Sequence, residues 1–526
     1  MKNSGRLARY ILNGNLYKLQ LLEVALRFMY DHRSVGVFMK HLYRSISKKT
    51  VCIYLIIGML FCLSAQGAKP HTQSNRQGAE KSARSDNKAE AKEEIPPRVI
   101  FGQQLSALLS EQKWDEAIAL FDTLPEEDRA SLSIRNLKVA VLISTGRIKD
   151  AEATAKALEK QYPSDLNVLY TMTMVAQAKN DKKMRRTYLK KILKLDPDNI
   201  QALQEEGVDL YDQRSYKEAG KIFNKILQKH PNDIQALIWC GKVYYLDNKM
   251  PEAEQCYTTV LKYQPKNSLA IAELARIKSE TNRMAEAIAD IQKATELEPD
   301  AAPHWTDLGS YNLQIGRKEE ARAAFKRAIE LVPDSYFVHI YLAGLNDDLG
   351  NKEDAIKHYK KVTELYPQYY YAYEGLGILL FEKNDWEGAR AAFVNALRYA
   401  PTNTYYALSA TVCSYKLNKK AEAKDFMSKY LKTIDRTKRE TDYYLCRLFV
   451  DFAGDSDVNN RITKEKDETE RLRKFFYLAE FYRLAGKGHL AEKFLLEIKT
   501  TPTPTFFEYR LAISELTTNP DTSTKK

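Results

Sequence analysis

The chain is short of the residues that make tight turns and cross-links. Glycine (21) and proline (17) are scarce for 526 residues, which argues against β-sandwiches and barrels with their many turns. Six cysteines are too few for a disulfide scaffold. Histidine is rare, at eight. The nucleotide, zinc-protease and hydrolase signatures GxxxxGK[ST], HExxH and GxSxG are missing, and so is any glycine-rich loop. What is present points to a folded body. Hydrophobic residues make up 44% and charged residues 29%, which excludes disorder along the whole chain and a polytopic membrane protein. Tyrosine is abundant, at 33. Length alone predicts three or four domains. A formal net charge of +12, spread evenly, would indicate an acidic partner.

The charge is not spread evenly. Residues 1–50 hold ten Lys/Arg against Glu23 and Asp31, which accounts for +8 of the total. Residues 51–67, VCIYLIIGMLFCLSAQG, carry no charge. A basic region, a short apolar run and small residues form the pattern of a secretory signal, with cleavage expected after Ala65-Gln66-Gly67. The apolar run 51–65 is shorter than the ~20 residues of a spanning helix. A start at Met39 would give a signal of ordinary length. The alternative is an uncleaved signal anchor with its basic side in the cytoplasm. A lipoprotein fits poorly, because Leu60 and Phe61 precede Cys62. Either favoured reading places the body outside the cytoplasmic membrane, periplasmic or in the cell envelope. Residues 68–97 have no aromatics and one large aliphatic, Ile95, so a disordered linker is expected.

Beyond the linker the chain is periodic. Pro163, Pro197, Pro231, Pro265, Pro299, Pro333, Pro367 and Pro401 are each separated by 34 residues. Windows of 34 residues with this proline at position 32 start at 132, 166, 200, 234, 268, 302, 336 and 370. The window 302–335 carries Trp305, Leu308-Gly309, Ala321, Phe325, Ala328 and Pro333; 370–403 repeats it with Tyr373, Leu376-Gly377, Ala389, Phe393, Ala396 and Pro401. Apolar residues at positions 4, 7, 8 and 11, then 20, 24 and 27, give two helix-period stripes. Small residues at positions 8 and 20 let the two helices approach. Gly146, Asn180, Asn248, Asn282, Gly316, Asn351 and Asn384 mark the turn between them. The proline ends the second helix. The register extends less perfectly to 98–131, 404–437 and 472–505. In 438–471 the second half has lost its packing positions and reads as a loop or a solvated helix.

This pattern resembles the tetratricopeptide repeat family. The resemblance implies an all-α, right-handed superhelical solenoid of about twelve 34-residue helix-turn-helix units over 98–505. The strong units fill 132–403, and residues 506–526 supply a capping helix and tail. It further implies that first helices line a concave face through positions 2, 5, 9, 12 and 13. Position 2 then offers Phe337, Tyr371 and Tyr405; position 12 offers Tyr211, Tyr245, Phe381, Tyr415 and Phe449; position 9 offers Lys242 and Arg276. A groove with a basic middle and an aromatic C-terminal half is expected, suited to a peptide. The alternative is that these rings merely pack against neighbouring helices. The carboxylate clamp of the chaperone-tail-binding type needs Lys at position 5 and Asn at position 9. Here those positions hold Gln204/Val208, Ile238/Lys242 and Ala272/Arg276, so that activity is not carried over.

Little points to catalysis. His339 and His358 fall at packing positions of one unit, so buried neutral imidazoles are expected rather than a metal site. Cys240 and Cys256 face each other within one unit. Free core thiols are favoured over the disulfide that an oxidising compartment permits. A repeat-bearing transferase or protease would need a separate catalytic domain, and only 21 residues follow 505. The expectation is therefore a non-enzymatic envelope scaffold without cofactor, small-molecule substrate or nucleic acid. It binds a protein or peptide segment, with a possible membrane tether through 51–67. The alternative is an anionic polymer or glycan.

Overall fold

The computed structural model describes residues 97–518, Thr503 and Thr505 excepted. The expected leader, the linker up to residue 96 and the tail after 518 lie outside the described residues. Among the described residues every element is a helix. Nine successive pairs keep one template. A first helix fills positions 1–13, from Leu132–Ser144 to Thr404–Lys416, and a second starts at position 17, from Ile148–Gln161 to Lys420–Leu431. The first window is broken in its second half, where Trp114–Ala119 passes into a 3-10 turn at Leu120–Thr123. The irregular window 438–471 holds two short helices, Glu440–Asp451 and Asp455–Thr463. Its second half is therefore helical, and it is held by buried Val458 and Ile462. One more pair, Glu468–Leu484 and Gly488–Lys499, precedes the terminal helix Glu508–Thr518.

Local chemistry sets these boundaries. Position 15 of all twelve windows adopts a left-handed backbone: Gln112, Gly146, Asn180, Arg214, Asn248, Asn282, Gly316, Gly350, Asn384, Asn418, Phe452 and Gly486. Glycine and asparagine tolerate that region, which accounts for nine of the twelve. In the 336 unit the turn residue is Gly350, not the expected Asn351. Asp165, Asn199, Asp233, Asn267 and Asn403 at position 34 accept the first free N–H groups of the following helix.

Pairing within a unit follows a size rule. A Cβ added at Gly207, Gly241, Gly309 or Gly377 (position 8) would lie 2.6–2.9 Å from the ring of Phe223, Tyr257, Phe325 or Phe393 (position 24). Where position 8 is Val139, Thr173, Ala275 or Thr411, position 24 is Ala155, Leu189, Ile291 or Met427. The 336 unit has Ala343 with Tyr359, and there the ring lies against Gly375 of the next unit instead.

The described chain forms two compact bodies, 97–270 and 271–518, divided within helix Ser268–Glu280.

Candidate functional site

In body 97–270 the first helices are thinly covered. Helix Ile200–Asp212 buries only Ala202, Leu203 and Gly207. Tyr211, Lys242 and Tyr245 are half-exposed. Tyr211 meets the edge of Trp239 at 5.1 Å and of Tyr216 at 5.3 Å, and Trp239 stacks on Phe223 at 5.9 Å. Lys242 Nζ stands 4.7 Å from the Trp239 ring centre. The result is an aromatic platform with a cation over it, an arrangement suited to both apolar and π contacts with a ligand. The sequence reading missed Trp239, because position 6 was not counted as facing inward.

Body 271–518 is different. At its start Arg276 is half-exposed and pairs with Glu273 at 3.0 Å. Burial pushes the nearby Asp307 carboxyl up to about 6, against the pull of Arg276. Phe337 and Tyr371 are half-exposed. Phe337 meets Tyr341 edge-on at 4.8 Å, and Tyr371 joins Tyr369 and Tyr370 in a tyrosine cluster.

The remaining four candidates are corrected by the structure. Phe381 (1% exposed), Tyr405 (7%), Tyr415 (5%) and Phe449 (0%) are core residues. Helix Thr404–Lys416 is buried at every residue except Lys416. Tyr405 is covered by the chain's own return over this face, and Phe381, Tyr415 and Phe449 by neighbouring helices of the array. Tyr405 stacks on Tyr477 of helix Glu468–Leu484 and lies under the Arg473 guanidinium at 3.7 Å. Tyr415 donates to the Phe449 carbonyl, and Phe449 meets Phe481 edge-on at 6.1 Å. The terminal helix Glu508–Thr518 packs most extensively against Gly488–Lys499, and also against Tyr370–Glu382 and Glu468–Leu484. The expected aromatic groove is thus filled from within over 381–449, while Phe337 and Tyr371 stay half-exposed, and the expected capping helix covers more than the array's end.

Tetratricopeptide repeat models match residues 108–174 and 210–268, and residues 272–336 and 346–426. The chain belongs to the tetratricopeptide repeat family. A TPR repeat-containing protein, PA4667 of Pseudomonas aeruginosa, is 30% identical over 122 residues, or 23% of this chain, and the matched part spans only 21% of that relative. The crystal structure of MamA is 26% identical with TM-score 0.29, covering 31% of this chain and 94% of that one. A structure of Pseudomonas aeruginosa PilF is 19% identical with TM-score 0.35, covering 40% and 94%. Tetratricopeptide repeat proteins are protein–protein interaction scaffolds.

The repeat-internal histidines and cysteines sit in packed positions. His339 Nε2 donates to the Pro333 carbonyl at 2.9 Å, so its Nδ1 accepts from His358 Nδ1–H, also at 2.9 Å. Burial lowers both, and His358, further opposed by His339, falls to about 4. The unfolded chain takes up protons near the ordinary 6.5, while folded His358 resists until about 4. Stability from this pair is therefore complete above pH 6.5 and declines as pH falls through that window. Melting temperature against pH between 7 and 4.5 is expected to fall more steeply for the native chain than for His358→Gln. Parallel curves would show that His358 takes up its proton at the same pH folded and unfolded, and contradict the lowering. Cys240 and Cys256 are buried free thiols, pushed by burial to about 12 and about 11. Neither is a ready nucleophile. Cys413 and Cys446 are likewise free and buried. Among the described residues no three His, Cys, Asp or Glu side chains gather as a metal site, and no helix is long and apolar enough to cross a membrane.

Proposed function

We propose that the chain is a non-enzymatic interaction scaffold of the cell envelope that binds a protein or peptide segment on the first-helix face of body 97–270. The Tyr211–Trp239–Lys242 platform carries this reading. It is half-exposed, its rings are held rigid by one another, and it needs no reorganisation to receive a ligand. The envelope assignment rests on the basic region 1–50 and the uncharged run 51–67, which either directs export or tethers the chain to the membrane.

Capture from envelope extract tests the platform. Truncating an anchor residue costs about 1–2 kcal/mol, roughly a tenfold loss of affinity or more. Tyr211→Ala with Lys242→Ala is expected to lose the main partner, while the distant Tyr263→Ala keeps it. Retention of every partner by the double variant refutes the platform as the binding face. An N-terminus at Ala68 in mature protein supports export with cleavage, and an intact leader supports the tether.

One observation favours binding of an anionic polymer or glycan as a second reading. Helix Lys182–Leu195 carries seven Lys/Arg and no acid. Arg185, Arg186 and Lys191 are paired with Glu205, Asp209 and Glu159. The pairing leaves the net charge there modest. A steep fall of affinity with salt would support this reading over the protein ligand.

A further inference from the structure

The terminal segment is bound in the manner of a ligand. Phe507 stacks on Phe393 at 5.9 Å and on Tyr406 at 6.0 Å, and Phe506, Leu511 and Ala512 are buried beside it. Arg510 reaches back 163 residues to hold both oxygens of Asp347 at 2.6 and 3.0 Å, and its Nε donates to Glu382 at 2.9 Å. Glu508 is fully buried and takes Arg473 in a two-point pair at 3.0 and 3.2 Å. Glu515 accepts from Lys416 at 2.7 Å and from Arg483 at 2.6 Å. Asp347, Glu382 and Lys416 stand at positions 12 and 13 of three successive first helices, the positions that the resemblance assigns to ligand contact.

Two features separate this from an ordinary end cap. The helix covers the last pair as a cap does, but Arg510 and Glu515 also reach Asp347, Glu382 and Lys416, on units up to five windows earlier. Recognition also depends on buried ion pairs. These fix register and partner identity but add little net affinity, because desolvating each charge offsets much of the attraction. The connection to the array runs through Thr501-Pro502-Thr503-Pro504-Thr505, whose prolines cannot prolong the preceding helix.

We propose that residues 506–518 are a resident surrogate for a partner helix, and that the face formed by first helices 336–348, 370–382 and 404–416 accepts a protein segment of the same chemistry in its place. That segment is an amphipathic helix opening with two adjacent aromatic rings, with glutamate two residues after the first ring, arginine four after and glutamate nine after. The inference rests on the family's role as protein-binding scaffolds. It is independent of the platform in body 97–270, so failure of one leaves the other standing.

Hydrogen exchange on the full chain supplies the first test. The amides of 508–518 are expected to exchange together through an opening that leaves Tyr370–Glu382 protected, at least a hundredfold faster than that helix. Exchange of both at one rate would make the segment an integral part of the core and overturn the proposal. The second test titrates a labelled peptide of residues 504–518 into full-length protein. Arg510→Ala, which loosens the resident helix, is expected to bind the peptide at least tenfold more tightly than the native chain, and an Arg-to-Ala peptide is expected to bind neither. Arg510→Lys serves the same comparison if the alanine variant does not fold. Absence of peptide binding by a folded, loosened variant overturns the proposal. So does a dimer by light scattering, which would make the occupant a second copy of the chain.

Discussion

Replacement of Arg473 by methionine is expected to lower the unfolding free energy of body 271–518 by about 3–5 kcal/mol. The guanidinium lies over the Tyr405 ring and holds both oxygens of Glu508, which has no exposure. Without it Glu508 is left charged among apolar groups, and Tyr477 Oη, which donates at 3.1 Å, is too weak to compensate. Burial already pushes the Glu508 carboxyl up, opposed first by Arg473. Removal of both partners tells a different story. Arg473→Met with Glu508→Leu leaves no orphan charge and is expected to recover most of the loss. Denaturant midpoints at constant slope measure both variants. If the double variant is as unstable as the single, the cost lies in the lost packing of Arg473 over Tyr405 and not in the buried charge.

The second large effect concerns the helix pairs themselves. Gly207→Val is expected to destabilise by about 1–3 kcal/mol, because its Cβ falls 2.6 Å from Phe223 Cζ. Valine and glycine differ little in helix propensity, so propensity does not mask the clash. Phe223→Leu in the same chain is expected to restore much of the loss, since it recreates the Thr173/Leu189 pairing of the preceding unit. Gly488→Val is the control, with nothing within 4 Å of the added carbon. An additive double variant, with no rescue, would mean that positions 8 and 24 do not set each other's size.

The repeat was legible because it rests on local chemistry. A proline at position 32, a left-handed turn at position 15 and a small residue at position 8 each act within one unit, and 34-residue spacing repeats the signal. The same locality explains the lesser errors. Asn351 and Gly350 are adjacent at the turn, and only the backbone shows that Gly350 is the left-handed one. Trp239 escaped notice because its importance comes from stacking on Phe223, not from its place in a stripe. The larger error, at Phe381, Tyr405, Tyr415 and Phe449, has a different origin. Periodicity marks a row of rings but not what covers each one: Tyr405 is covered by a helix some seventy residues on, and Tyr415 and Phe449 by the aromatic rings of the units that follow them. One trace of the chain's return was visible. Position 12 runs Tyr211, Tyr245, Ser279, Leu313, Asp347 and Phe381. Asp347 is the one acid in that row, and it is the group that Arg510 holds.

The first-helix face is open in body 97–270 and covered by the chain itself over 381–449. Hydroxyl-radical footprinting of the native protein, read residue by residue by mass spectrometry, tests it most directly. Tyr211, Trp239 and Tyr245 are expected to be oxidised several times faster than Tyr405, Tyr415 and Phe449, with Phe381 equally protected. Labelling of Tyr405 and Tyr415 at the rate of Tyr211 would show an empty C-terminal face and contradict the account.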